Sequence, residues 1–161
     1  MRKLWFTAGL VALLLTTMLL NANAQAVVKV YAGANGIWVA DEARPADFEL
    51  GGSAAASLSP HIAAVGGIWY GVAHSYIRGS AGARYTVTDA SDPNFSIGLG
   101  GSYHFSSEPA IRPEEFCVEA AIGWKPWPQL YRVTLVALGA YGLDTSEAHM
   151  IAGVRYDIHL P

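Results

Sequence analysis

The strongest constraint in this sequence is a strict alternation between apolar residues and small or polar residues. From Phe95 to Ser106, the odd positions carry Phe, Ile, Leu, Gly, Tyr and Phe, and the even positions carry Ser, Gly, Gly, Ser, His and Ser. Successive side chains of a β-strand point to opposite faces, so this period of two predicts a strand with one apolar face. The same alternation predicts four further strands, over 48–58, 77–87, 116–125 and 150–160.

Three more segments have strand-like composition but a mixed pattern, at 27–40, 62–73 and 131–143. The last of them places Val136 and Leu138 on the face that should be polar. Clusters of Gly, Pro, Asp, Asn and Ser separate the segments, which is where a meander needs its turns. Seven connections joining eight strands predict an all-β fold, an eight-stranded antiparallel up-and-down barrel with both chain ends on one side.

The first residues differ from the rest of the chain. Arg2 and Lys3 precede an apolar run over 4–20, and the run is followed by Asn-Ala-Asn-Ala. A basic start, an apolar core and a small-x-small end predict a secretory signal peptide over 1–24 and a barrel over 25–161. The alternative is a retained membrane anchor, which the small-x-small end disfavours. No later segment has the ~18 uninterrupted apolar residues of a spanning helix.

Charge is scarce and its balance is acidic. Charged residues are 14% of the chain while hydrophobic residues are 52%, compared with about 25% charged residues in ordinary soluble domains. Removal of Arg2 and Lys3 leaves 8 basic and 13 acidic residues, a net charge of −5. Nucleic-acid binding needs a basic surface, so nucleic acid is not an expected partner.

Sequence spacing indicates neither a metal site nor a cofactor. Cys117 is the only cysteine, so an intramolecular disulfide is impossible and a small buried thiol is the expected state. The five histidines have no metal-ligand spacing. The glycines of 98–101 belong to a strand rather than to a phosphate-binding turn.

The polar face distinguishes a membrane barrel from a soluble one. A soluble barrel would present long polar side chains to water, whereas this face is mainly Gly, Ser and Ala with single charges. Small residues suit the narrow interior of an eight-stranded barrel, and the apolar face would then contact lipid. The alternative is a soluble periplasmic barrel that binds an apolar ligand.

Aromatic residues are predicted to form a girdle at each rim, as in chains anchored at both membrane interfaces. The rim at which both chain ends are predicted to lie is called the inner rim, and the opposite rim is called the outer rim. The outer girdle is predicted to contain Trp38, Trp69, Tyr103, Phe116 and Tyr141, together with Phe48, Tyr70, Tyr76 and Phe105. The inner girdle is predicted to contain Tyr85, Phe95, Trp124, Trp127 and Tyr156, together with Tyr131.

Over residues ~25 to 161 the chain resembles the small eight-stranded bacterial outer-membrane barrels. This class contains the transmembrane domain of outer-membrane protein A and its porin-like relatives. Val154, Tyr156, Ile158 and Leu160 match the alternating last strand that the outer-membrane assembly machinery reads, although the chain ends in Leu160-Pro161 rather than Phe. The resemblance implies the outer membrane of a Gram-negative cell, with lipid, lipopolysaccharide and that machinery as partners.

Charges on the small-residue face are predicted to form an ion-pair network that plugs the lumen, because unpaired charges there would cost several kcal/mol each. The network is predicted to contain Glu49, Arg78, Arg84, Glu119, Arg132, Arg155 and Asp157, acidic at the outer end and basic at the inner end. The alternative is a gated proton or ion path.

One motif raises an enzymatic alternative. Lipid A deacylases of this barrel size use a His-x-Ser pair with a carboxylate, and His104-Phe105-Ser106 has that spacing, with Glu108 or Glu119 as a third member. The family's site faces lipid, however, whereas His104 and Ser106 fall on the lumen face. We therefore expect a non-enzymatic barrel with a structural, envelope-maintenance or surface-interaction role. Its short outer connections could contact a protein or a surface glycan, and a surface or periplasmic protein is a possible partner.

Overall fold

The computed structural model describes residues 28–39, 44–88, 94–106, 114–126 and 132–158. These residues form eight strands, β1 Val28–Val39, β2 Arg44–Ser57, β3 Ile62–Gly71, β4 Tyr76–Thr86, β5 Phe95–Ser106, β6 Glu115–Trp124, β7 Val133–Gly142 and β8 Ala148–Ile158. Each strand pairs antiparallel with the next, and β1 also pairs with β8. The predicted eight-stranded closed antiparallel barrel is confirmed. The predicted signal peptide lies outside the described residues.

The register around the barrel fixes how strongly the strands tilt. A path of paired residues that starts at Lys29 in β1 returns to β1 at Val39, ten residues further along the strand. The residues between them are Ala55, Val65, Gly82, Gly100, Glu119, Ala140 and His149. A stagger of ten in eight strands corresponds to a tilt of roughly 40°. This tilt brings side chains together that are distant along the sequence.

Side chains alternate between the outside and the lumen as the sequence pattern predicts. Ile97, Val118 and Val154 point outward and are about half exposed, at 50%, 50% and 45%. Ser102 and Glu119 point inward and are buried. Bulky apolar residues therefore cover the outside of the barrel, and small and ionic residues fill the inside.

The segments with mixed patterns also form strands, β1, β3 and β7. In β7, Val136 and Leu138 do face the lumen, where they line a cavity. In β3, Trp69 is the inward residue and its neighbour Tyr70 is exposed. Apolar residues on both faces explain why the alternation was weak in these strands. Within the described part of the chain, no helix is long and apolar enough to cross a membrane.

Candidate functional site in the barrel lumen

Arg78 lies at the centre of a buried ion network in the outer half of the lumen. Its Nε donates to Oε1 of Glu49 at 2.9 Å, and its Nη2 donates to Oε2 of the same carboxylate at 2.8 Å. Its Nη1 donates to Oε1 of Glu119 at 2.7 Å. The three residues come from β4, β2 and β6, so a single guanidinium links strands on different sides of the barrel.

Glu49 accepts hydrogen bonds from two neutral side chains as well. The amide of Asn35 donates to Oε2 and the hydroxyl of Tyr76 donates to Oε1, both at 2.8 Å. Each oxygen of the carboxylate therefore accepts two hydrogen bonds. Such complete pairing is what allows a carboxylate to be fully buried.

The network continues to Arg155 in β8. Arg155 Nη1 donates to Oδ1 of Asn35 at 2.6 Å, and its guanidinium lies 3.9 Å from the centre of the Trp69 ring. Arg78 approaches the same ring at 5.9 Å. An aromatic face attracts cations, so Trp69 offsets part of the repulsion between the two arginines.

A glycine makes room for this contact. A Cβ at Gly153 would lie 2.1 Å from Oδ1 of Asn35 and 2.8 Å from Nη1 of Arg155. Any side chain there would displace both groups, so Gly153 is required for the bond between Asn35 and Arg155.

The other predicted network residues lie elsewhere in the lumen. Asp157 is near the inner end, where it pairs with Lys29 at 3.2 Å. Arg84 lines the cavity of the inner half. Arg132 directly precedes β7, and its backbone carbonyl accepts a hydrogen bond from the Asp157 amide. The structure thus brings Glu49, Arg78, Glu119 and Arg155 together.

Below the network the lumen contains a cavity of about 160 Å³. It extends from Arg78 and Glu119 toward the inner end and is lined mainly by small inward residues, among them Ser53, Ala55, Ser80, Gly82, Gly98, Gly100 and Ala121. The lumen is therefore filled unevenly, with ionic side chains in its outer half and unfilled space below them.

At the outer mouth of the lumen, His104, Glu115 and Cys117 are buried and hold one ligand-type atom each, all within 4.8 Å of one another. His149 is adjacent, with Nε2 3.8 Å from Oε2 of Glu115. No local pattern predicts this group, because its four members come from β5, β6 and β8. Only the register brings them together.

The geometry does not favour the deacylase alternative. His104 is 2% exposed and points into the lumen, away from any surrounding acyl chains. Its Nδ1 lies 3.9 Å from the Cys117 sulfur, and Glu119 accepts a hydrogen bond from Arg78. Glu119 is therefore committed to the ion network, and Glu108 lies outside the described residues.

Two residues predicted for the outer girdle are misplaced. Trp69 is only 2% exposed and faces the lumen, where it contacts Arg155, so its assignment to the outer girdle was wrong. The same correction applies to Tyr76, which is fully buried against Glu49. Period-two reasoning could not decide β3 because Trp69 and Tyr70 are adjacent and only one of them can face outward.

Tyr31 also faces inward, since it is 6% exposed and lines the lumen cavity. The remaining aromatic residues in the described part of the chain face outward near the two rims. Near the outer rim these are Trp38, Phe48, Tyr70, Tyr103, Phe105, Phe116 and Tyr141. Near the inner rim they are Tyr85, Phe95, Trp124 and Tyr156. Trp127 and Tyr131 lie outside the described residues. Two aromatic zones thus enclose an apolar band, with Leu99 on β5 midway between Phe95 and Tyr103.

Comparison with solved structures agrees with this geometry. A de novo designed transmembrane β-barrel matches with a TM-score of 0.53 at 13% identity, covering 81% of this chain and 95% of the designed one. The N-terminal β-barrel domain of Pseudomonas aeruginosa OprF matches with a TM-score of 0.51 at 14% identity, covering 83% of this chain and 100% of that domain. The fold is that of a transmembrane β-barrel.

A third transmembrane β-barrel of this kind is Ail, the attachment invasion locus protein of Yersinia pestis, solved with the heparin analogue sucrose octasulfate. It matches with a TM-score of 0.51 at 14% identity, covering 83% of this chain and 99% of Ail. No protein-family model matches the sequence, and no curated protein sequence matches it. At these identities the similarity establishes the fold of this β-barrel and not its role.

Proposed function

We propose that this chain is an integral protein of the bacterial outer membrane, with a closed lumen and a structural, envelope-maintenance or surface-interaction role. The observation that carries the proposal is the polarity of the barrel, which is apolar outside and ionic inside. We further propose that residues 1–24 are removed on export and that 25–161 form the mature barrel.

The outer surface supports a lipid environment. Large apolar side chains are exposed on every strand, for example Leu50, Ile68, Leu99, Val118 and Met150. Monomeric soluble proteins rarely expose contiguous apolar patches larger than a few hundred Å². A band of such residues around a closed barrel fits acyl chains, while the pairing of every strand on both sides satisfies the backbone.

The lumen argues against the soluble alternative. A soluble barrel that carries an apolar ligand needs an apolar interior and a polar exterior. Here Glu49, Arg78 and Glu119 are buried inside, whereas Ile97 and Leu99 are exposed outside. The distribution of polarity is the reverse of the one that the soluble alternative requires.

The lumen also supports a closed barrel rather than an ion path. Arg78 spans between Glu49 and Glu119 with three hydrogen bonds, so the outer half contains a fixed salt-bridged barrier. The cavity of the inner half ends against this barrier. We propose that lipid and lipopolysaccharide surround the barrel and that the outer-membrane assembly machinery inserts it.

The outer end favours a protein partner over a polyanion. Ail was crystallised with a sulfated polyanion. At the outer end of this chain, the described residues include the exposed carboxylates Glu114, Asp144 and Glu147. Like charges repel, so a surface protein is a better candidate at this end than a sulfated glycan or a nucleic acid. A periplasmic protein could contact only the inner end.

The test is to refold residues 25–161 in detergent micelles, in phospholipid vesicles and in buffer alone. We expect folding only with detergent or lipid, and slower migration on a gel after boiling than before. A monodisperse folded protein in detergent-free buffer would instead support the soluble barrel. Incubation with lipopolysaccharide should release no fatty acid. Release that Ser106→Ala abolishes would support the deacylase alternative.

A further inference from the structure

The outer mouth of the lumen contains a mixed set of nitrogen, sulfur and oxygen donors. His104 in β5 and Glu115 in β6 are paired across neighbouring strands, and Cys117 is the next inward residue of β6. We propose that His104, Glu115 and Cys117 form a site for a divalent transition-metal ion, Zn²⁺ above all, with His149 as the fourth ligand.

The distances suit a four-coordinate ion. The donor atoms of the first three residues lie within 4.8 Å of one another, and the Cys117 sulfur is 3.9 Å from Nδ1 of His104. Zinc bonds to nitrogen and oxygen at about 2.0–2.2 Å and to sulfur at about 2.3 Å, so two of its ligands are separated by up to roughly 4 Å. The three atoms therefore have to move closer together to share one ion, and they need to do so by only about 1 Å.

His149 lies beside this set rather than within it, and its side chain has to move toward His104 and Cys117 to become the fourth ligand. Its Nε2 lies 3.8 Å from Oε2 of Glu115, and its ring is perpendicular to the His104 ring with centroids 6.5 Å apart. Tetrahedral coordination requires ligands that approach the ion from different directions. All four residues are buried.

Strand β7 leaves the space that this group occupies. β7 lies between β6 and β8, and its inward residues at this level are Ala140 and Gly142. A Cβ at Gly142 would lie 1.7 Å from Oε1 of Glu115. Only a glycine there permits Glu115 to reach across β7 toward His149.

Neighbouring groups already orient two of the ligands. Oε1 of Glu115 accepts from the Thr145 amide at 3.2 Å and also from the Thr145 hydroxyl, while Oε2 is directed toward His149. The Tyr76 ring packs edge-on against His104 with centroids 5.5 Å apart. Hydrogen bonds and packing of this kind hold ligands in place in known metal sites.

The donor chemistry selects the ion. Mg²⁺ and Ca²⁺ bind oxygen ligands, so a site with one thiolate, two imidazoles and one carboxylate is unsuitable for them. Zn²⁺ and Co²⁺ accept this mixture in tetrahedral geometry. Binding would displace the proton of the Cys117 thiol, forming one metal–sulfur bond and releasing one proton to the solvent.

Cobalt is the direct probe. The full mature barrel, refolded in metal-free detergent buffer, is titrated with Co²⁺ and then with Zn²⁺ while the absorption spectrum is recorded. We expect one equivalent of Co²⁺ to give a thiolate-to-cobalt charge-transfer band and strong tetrahedral d–d bands. One equivalent of Zn²⁺ should remove both.

The variants separate a metal site from ordinary polar packing. Cys117→Ser should abolish the charge-transfer band, His149→Gln should weaken binding, and Thr145→Val should weaken it about tenfold as a positioning residue. His61→Gln is the matched control, since His61 lies at the inner end against the Thr86 and Thr88 carbonyls. Heat-modifiable migration verifies that each variant is folded.

Two results would overturn the proposal. One is a folded wild-type barrel that shows no cobalt–thiolate band. The other is equal Co²⁺ affinity in the wild type and in Cys117→Ser. Neither result bears on the proposed membrane role, because refolding in lipid is measured without metal.

Discussion

Glu49 and Arg78 form a two-point ion pair inside the barrel, with Nε and Nη2 of the guanidinium donating to the two carboxylate oxygens at 2.9 and 2.8 Å. Both side chains are almost completely buried. A buried pair of this type is weak evidence for net stability, since each ion loses its hydration. The pair nevertheless fixes the relative orientation of the two side chains, because the planar guanidinium of arginine binds both oxygens of a carboxylate in one arrangement.

Removal of Arg78 should strongly destabilise the barrel. Arg78→Met leaves two carboxylates, Glu49 and Glu119, buried without their cation, so we expect a loss of about 3–5 kcal/mol in the free energy of unfolding. Urea titration in micelles, followed by the folded band on unboiled gels, measures this loss.

A matched control and a rescue accompany that variant. Lys29→Met breaks the pair with Asp157, which is partly exposed, and should cost less than about 1 kcal/mol. Adding Glu49→Gln and Glu119→Gln to Arg78→Met should recover part of the loss, because the uncompensated charges are gone. Equal losses of unfolding free energy in the Arg78 and Lys29 variants would contradict the central role of Arg78 in the ion network.

Trp69 and Trp124 should respond differently to lipid. Trp69 is 2% exposed and stacks under Arg155 in the lumen, whereas Trp124 is 53% exposed on the outer face. In vesicles of brominated lipid, a variant that retains only Trp124 should be strongly quenched. A variant that retains only Trp69 should keep most of its fluorescence. Comparable quenching of the two would place Trp69 back on the lipid face.

The sequence predicts strands better than it predicts contacts, and β5 and β3 show why. Along 95–106 one face is consistently small or polar, so the period of two assigns every side chain in advance. In β3 both faces are apolar, and the adjacent pair of Trp69 and Tyr70 gives no basis for choosing which faces inward. The period describes each strand alone, so it fails where the chain has bulky residues on both faces.

The side-chain contacts in the lumen depend on the register between strands, and the sequence pattern within one strand does not reveal that register. Arg78 and Glu119 are 41 residues apart and meet only because the barrel closes with a stagger of ten. The predicted set contained the four charged residues that gather in the outer half, but it could not separate them from Asp157, which pairs with Lys29 near the inner end. Neutral members of the network such as Asn35 were not predicted, because the prediction was based on charged residues.

A charge placed in the middle of the apolar band should cost more than one placed at its edge. Leu99 is 68% exposed and midway between the two aromatic zones, so Leu99→Arg should lose about 2–4 kcal/mol in a bilayer. Val87 is 69% exposed but follows β4 at the inner end, so Val87→Arg should lose only about 0–1 kcal/mol. Unfolding titrations in vesicles compare the two, and equal losses would argue against a membrane-embedded band.

The lumen should conduct only when its ionic barrier is removed. The wild-type barrel in planar bilayers should show no steady large conductance, since Arg78 bridges Glu49 and Glu119. Replacing all three by serine should connect the inner cavity to the outer mouth and raise the conductance. The Lys29→Met variant, altered near the inner end, should remain closed. Steady large conductance of the wild type would contradict a closed lumen.

Two glycines of β5 provide the sharpest test of the packing inside the barrel. Gly98 and Gly100 are both inward residues bordering the cavity, and neither has a positive φ. A Cβ at Gly98 would have its closest contact at 3.5 Å, which is ordinary van der Waals distance, whereas a Cβ at Gly100 would lie 2.5 Å from the Ala81 carbonyl oxygen. Gly98→Ala should therefore be neutral or stabilising by up to about 1 kcal/mol, since alanine restricts the unfolded chain. Gly100→Ala should destabilise the barrel because neighbouring backbone has to move. The urea midpoints of unfolding compare the stabilities of the two variants. An equal loss of stability at both positions would show that the space beside Gly98 is filled.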